Sequence, residues 1–186
     1  TLTDEVGLPD YTRDILLVSG LFLDEKIHFI VNHWPSRRSG DVATEHKRIT
    51  ASNQVQSIIN QLNTTYNNPK IVVMGDFNDD PFSNSIKQLV NNIGLFNPMD
   101  TLLSIDRGTT CHNFEWNLFD QIIITHNFFE RKAKTLRFVK ADIYDADFLK
   151  QYDGKYKGLP YRTYVGKSYK GGYSDHFPVY MILNKK

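Results

Sequence analysis

Apolar residues along this chain fall in short runs separated by polar clusters, and the spacing within the runs alternates between strand-like and helical. Residues 15–19 read as a strand that residues 21–23 extend past Gly20. Asp24-Glu25-Lys26 reads as the turn of a hairpin and residues 27–31 as its return strand. Residues 36–42 form a polar loop. A helix is expected from about Thr44 to Asn63, because Ala51, Val55, Ile58, Ile59 and Leu62 lie on one helical face. Asn67-Asn68-Pro69 ends it. Ile71-Val72-Val73-Met74 is a continuous apolar run, the pattern of a strand buried on both faces. Residues 75–81 turn away from it, and Ser83 can cap a short helix carrying Ile86, Leu89 and Val90.

Further along, residues 97–114 read as mostly irregular. Residues 119–125 and 135–141 read as strands, 144–173 as a long loop rich in Tyr, Lys and Gly, and 177–183 as the closing strand. Strands mixed with helices and joined partly by hairpins imply an α/β fold, a mixed sheet packed against helices. A chain of 186 residues suits one domain, 1–186, with a sizeable core.

Composition narrows the functional classes. The chain is 40% hydrophobic and 23% charged, which argues for a packed globular fold over disorder. A net charge of +1 does not mark a strongly basic nucleic-acid binder. Cys111 is the single cysteine, so an intrachain disulfide and a Cys-rich zinc site are both excluded. It leaves the compartment open. No apolar run has the length of a membrane span. The opening Thr-Leu-Thr-Asp-Glu has neither an initiator Met nor a signal-like segment and reads as a cut end.

The candidate chemistry lies where apolar runs meet polar clusters. Asp76 and Asn78 follow the run 71–74, and in extended chain they would point the same way. A carboxylate can hold a metal or orient a water, and an amide can donate to a phosphate oxygen. The same residues can simply form an Asx-turn. Asp175 and His176 are adjacent and would face different subsites, one for a metal and one for proton exchange. They equally suit a surface turn. His33, after residues 27–31, can donate to a phosphate oxygen or pack on Trp34. Arg37 and Arg38 can grip phosphate as planar forks or remain solvated. Asp120 enters an apolar strand and needs a partner, either an imidazole or a structural hydrogen bond. In the long loop, Tyr152, Tyr156, Tyr161, Tyr164, Tyr169 and Tyr173 interleave with Lys150, Lys155, Lys157, Arg162, Lys167 and Lys170. Such a loop can stack bases and hold phosphates, or pack on itself.

Taken in order, Asn32-His33-Trp34-Pro35-Ser36, Gly75-Asp76-Phe77-Asn78-Asp79, Phe119-Asp120-Gln121-Ile122-Ile123 and Ser174-Asp175-His176-Phe177-Pro178-Val179 resemble the endonuclease/exonuclease/phosphatase superfamily. The resemblance spans about Thr12 to Leu183. It implies a four-layered α/β sandwich of the DNase I type, and in-line attack of water on phosphorus with Mg²⁺ or Mn²⁺ as cofactor. His33 would contact phosphate, and Asp76 with Asn78 would position water and the scissile group. Asp120 would orient the last histidine, Asp175 would bind metal, and His176 would act as general base or phosphate donor. Arg37, Arg38 and Arg162 would bind substrate, with DNA favoured over a sugar, inositol or lipid phosphate. A non-catalytic binding module of the same fold is the other expectation. The family's first strands, bearing an Asn and a metal-binding Glu, have no counterpart before Thr12, and Glu5 does not supply one. The resemblance is thus to the C-terminal part of the family domain. A partial domain would leave the runs 71–74 and 122–125 short of covering partners and expose a sheet edge or apolar face, for a second copy or a partner chain to fill.

Overall fold

A computed structural model describes residues 12–132 and 134–185. Glu5 and the rest of residues 1–11 lie outside the described residues. The elements in chain order are β1 (Leu16–Phe22), β2 (Glu25–His33), α1 (Asp41–Thr65), β3 (Lys70–Asp76), α2 (Asn84–Ile93), β4 (Leu95–Phe96), β5 (Thr110–His112) and β6 (Glu115–Asn117). They continue with β7 (Asp120–Thr125), β8 (Leu136–Ile143), β9 (Tyr164–Val165), β10 (Ser168–Tyr169) and β11 (Val179–Lys185).

Most differences from the sequence reading have local causes. The first hairpin turns on Leu23 and Asp24, both at positive φ, so Glu25 and Lys26 join β2. Residues 97–114 are not wholly irregular, since β5 and β6 pair about a turn at Asn113 and Phe114, again at positive φ. Neither turn contains glycine, so neither announces itself. Ser83 sits at the N-cap of α2 without a capping hydrogen bond. Its hydroxyl instead accepts the Asp80 N–H at 3.1 Å.

Five strands form the main sheet in the order β1-β2-β3-β7-β4. β2 and β3 run parallel, with α1 as their crossover, and the other neighbours are antiparallel. The period of 2 along each strand divides the core. Ile30, Ile71, Val73 and Ile123 pack against Val55, Ile59, Ile86 and Leu89 of the two helices. Ile27, Val72, Ile122 and Ile124 face Leu136, Ala141, Ile143 and Phe177. These last belong to or flank the antiparallel pair β8–β11, which forms a second sheet. The order is helices, five-stranded sheet, two-stranded sheet. Each fully buried Val, Leu or Ile contributes about 1.5–3 kcal/mol before entropy is charged against it.

The runs expected to lack cover are in fact buried: Ile71, Val72, Val73, Ile122, Ile123 and Ile124 are each at most 5% exposed. Helices cover one face and β8–β11 the other. An exposed apolar sheet edge is present, as expected, but on β1, where Leu16 is 57% and Leu21 is 74% exposed.

Candidate active site

β2, β3 and β7 end together, and their register makes a row of side chains. His33 pairs with Asp76 across the parallel ladder, and Asp76 pairs with Asp120 across the antiparallel one. Register partners point to the same face with Cβ atoms about 5 Å apart, so backbone pairing sets the row. Gly75 permits the approach of β2 and β3. Its φ is +132°, and a Cβ there would overlap the Asn32 carbonyl oxygen. His33 Nε2 lies 3.4 Å from Asp76 Oδ2. Burial, then the neighbouring charge of Asp120, push the Asp76 carboxyl above the ordinary carboxylate range. The Asn78 N–H and the two imidazoles oppose this without cancelling it.

His176 reaches the row from the loop before β11, with Nδ1 2.7 Å from Asp120 Oδ2. That pairing leaves Nε2 as the ring's free nitrogen. Burial lowers the His176 pKa. The hydrogen bond and charge of Asp120, with the charges of Asp76 and Asp175, outweigh it and hold the imidazole above its ordinary value. Two threonines dock this loop. Thr110 bridges to His176 and donates its hydroxyl to the Asp175 carbonyl at 3.1 Å. The Phe177 N–H donates to the Thr109 carbonyl at 2.7 Å. Thr109 Oγ1 accepts the N–H groups of Phe119 and Asp120 at 3.1 and 3.2 Å. Sequence reasoning missed both threonines, because a Thr-Thr pair has no signal of its own.

Asn78 does not continue the extended chain, and its amide is not simply on the side of Asp76. Its φ of +50° turns the backbone, and its N–H donates to Asp76 Oδ1 at 2.8 Å. Its buried side-chain amide donates to the Trp34 carbonyl at 2.9 Å. The Asx-turn and the orientation of Asp76 are one and the same arrangement.

Behind this turn lies a buried ion cluster. Asp79 Oδ1 accepts from Arg37 Nη2 at 2.8 Å. Arg48, fully buried on α1, brings Nε to 2.8 Å from the same oxygen, a charge contact without hydrogen-bond geometry. Arg37 also donates to the Asn78 carbonyl at 2.8 Å and lies 4.6 Å over the Phe119 ring. Its fork therefore serves the protein and not an open phosphate subsite. Asp80 receives the Leu118 N–H at 2.7 Å, which fixes the approach to Asp120. The sequence did hold a signal for this cluster, an arginine at position 48 on the apolar face of α1. Arg38 and Asp175 are exposed, while Arg162 lines a cavity beside β5.

A model of the Endonuclease/Exonuclease/phosphatase family matches residues 3–185. The chain belongs to the endonuclease/exonuclease/phosphatase family. No curated protein sequence matches it. Solved structures share its fold. A family protein from Bacteroides thetaiotaomicron is 17% identical over 88% of this chain and 51% of that one, with a TM-score of 0.52. Zebrafish (D. rerio) TDP2, humanized by 14 mutations, is 16% identical over 92% and 60%, with a TM-score of 0.54. Beta toxin from Staphylococcus aureus is 14% identical over 92% and 57%, with a TM-score of 0.54. The chain thus spans between 51% and 60% of the lengths of these structures. At such identity the likeness establishes a DNase I-like fold.

Members of the endonuclease/exonuclease/phosphatase family act on phosphoesters, generally with a divalent metal. The row offers suitable donors. Ligand atoms of Asp76, Asp120 and His176 lie within 4.8 Å of one another. Magnesium is commonly held by one or two carboxylates, with waters and substrate phosphate completing its shell. Two adjacent carboxylates, one of them raised in pKa by burial and then by the other's charge, fit a cation that would relieve their repulsion. Asp175, expected to bind metal, lies outside this group among the described residues.

Proposed function

We propose that this protein hydrolyses phosphodiesters by in-line attack of water, with Mg²⁺ or Mn²⁺ as cofactor. The observation that carries the reading is the His33–Asp76–Asp120 row closed by His176. Asp76 and Asp120 would hold the cation, which supplies charge neutralisation at the phosphoryl oxygens. Asp76, fixed by the Asn78 N–H, orients the water and takes its proton. Asp120 holds His176 in one orientation and favours its protonated form, so Nε2 donates to a non-bridging oxygen. His33 adds a second donor from the other side of Asp76. As the water oxygen bonds to phosphorus, the opposite P–O bond breaks and the leaving oxygen takes a proton from solvent. Arg38 and Arg162 are the basic residues we assign to substrate contact, and a nucleic-acid strand is the favoured substrate because the Tyr- and Lys-rich loop leads into His176.

The test is hydrolysis of bis(p-nitrophenyl) phosphate and of a short DNA duplex by the full chain, with Mg²⁺ or with EDTA. Cleavage is expected with metal, and loss of at least 10²-fold is expected for His176→Ala. Cleavage that survives EDTA unchanged would sink the metal assignment. DNA affinity insensitive to salt would count against the nuclease reading.

A further inference from the structure

A cavity lies between the β5–β6 turn and the loop 151–170. Its volume is about 310 Å³, and its walls include Cys111, Phe114, Lys155, Tyr156, Arg162 and Lys170. No Asp or Glu lines it. Among the described residues, none of the three cations meets a carboxylate within ion-pair distance. Three positive groups around one concavity repel each other unless an anion enters. The aromatic pair adds shape. Phe114 and Tyr156 are parallel to within 3°, with centroids 5.8 Å apart. The Lys155 ammonium lies 5.3 Å over the Phe114 ring and 5.7 Å from that of Tyr156, which holds the charge at the cavity wall.

The cavity is tied to the catalytic row by backbone. Cys111 follows Thr110 directly, and Thr110 bridges to His176. Bridge partners have Cα atoms about 5 Å apart, and consecutive Cα atoms are about 3.8 Å apart. A group bound near Cys111 would therefore lie within reach of a substrate whose phosphate sits at His176.

We propose that this cavity binds a second phosphoryl group of the substrate, so that the preferred substrate carries a further phosphate beside the one cleaved. The inference rests on the hydrolase reading above. Lys155, Arg162 and Lys170 supply the charge, and Arg162 supplies a planar fork for two phosphate oxygens. The Phe114–Tyr156 face supports the moiety that carries this phosphate.

Two arms test this. The first titrates inorganic phosphate into the full chain in EDTA by calorimetry. Lys155→Gln, Arg162→Gln and Lys170→Gln together are expected to weaken binding at least tenfold, with an unchanged Tm as the check on folding. Equal affinity in the triple variant and the parent overturns the site. The second arm compares thymidine dinucleotides with and without a 5′-terminal phosphate. Lys155→Gln with Lys170→Gln, which spares Arg162, is expected to raise KM at least tenfold for the phosphorylated dinucleotide alone. An equal effect on both dinucleotides, or none, overturns the substrate assignment even where phosphate binds. If the full chain with metal cleaves neither dinucleotide nor bis(p-nitrophenyl) phosphate, the hydrolase reading fails, and the substrate assignment falls with it. The phosphate titration still decides the anion site.

Discussion

Asp76 and Asp120 are neighbours because two strands pair, and they repel because both are acids. The fold holds Asp76 in a place that favours its protonated form, from burial first and Asp120 second. A carboxyl whose pKa is raised on folding loses stability as pH climbs from its unfolded value through its folded one. Asp76→Asn should therefore stabilise the metal-free protein at pH 7 and do nothing below about pH 3.8. Like charges directly opposite cost up to about 1 kcal/mol, so a rise in Tm of about 2–4 °C is expected in EDTA, with hydrolysis abolished. A lower Tm at pH 7 would mean that Asp76 is held by favourable contacts and not in spite of unfavourable ones. His176 has the opposite sign. Its raised pKa contributes stability that is full below about 6.5 and is lost as pH rises through the folded value. Asp120, Asp76 and Asp175 raise it, and burial opposes them. Asp120→Asn should lower the His176 pKa, seen by NMR titration of the imidazole in EDTA, and narrow its stability deficit as pH rises. An unmoved titration would show that Asp120 does not hold the ring.

At the scale of elements, what could be read from the sequence depended on length and on locality. β3 announced itself by four consecutive apolar residues, and the structure buries Ile71 and Val73 against helices and Val72 against the second sheet. β5 and β6 are three residues each and have too few positions to show a period. The candidate residues were each visible at a strand end, but their convergence was not, because pairing between β3 and β7 is non-local. Arg37 and Arg38 look alike in sequence. Only tertiary contact separates the clamp on Asp79 from an exposed side chain. The first hairpin shows the same limit. Leu23 and Asp24 take φ of 49° and 65°, values that suit Asn-Gly in a two-residue turn. A side chain in this region costs roughly 1–2 kcal/mol per residue. Leu23 is 58% exposed, so replacing it sacrifices little packing. Asp24 is exposed and lies 3.9 Å from Lys185, a pair worth little at such exposure. Leu23→Asn with Asp24→Gly should raise Tm by about 2–4 °C in thermal denaturation. No rise would mean that the native turn is already relaxed.

At the scale of the whole molecule, the two faces of the main sheet are covered but its first edge is not. β1 pairs with β2 on one side, and among the described residues no strand pairs with its other side. Leu16, Leu17, Val18, Leu21 and Phe22 are each between 41% and 74% exposed along it. An edge that is both apolar and rich in free N–H and C=O groups is a template for pairing with another chain. Soluble proteins usually blunt such edges with charge or proline, and β1 contains neither. Burying a few of these side chains across an interface would release about 25 cal/mol for each Å² of apolar area. The entropy of association opposes that gain, so the expected outcome is concentration-dependent self-association and not a tight obligate dimer. Sedimentation velocity of the full chain between micromolar and high-micromolar concentration should show a rising weight-average mass. Leu17→Lys with Leu21→Lys places two charges on the edge and should return the protein to a single monomer species. Leu17 pairs with Ile30 and Leu21 with Lys26, and neither belongs to the candidate active-site row that starts at His33, so these substitutions should leave hydrolysis unchanged. A parent protein that stays monomeric at every concentration would show that the exposed leucines of β1 are not an association surface.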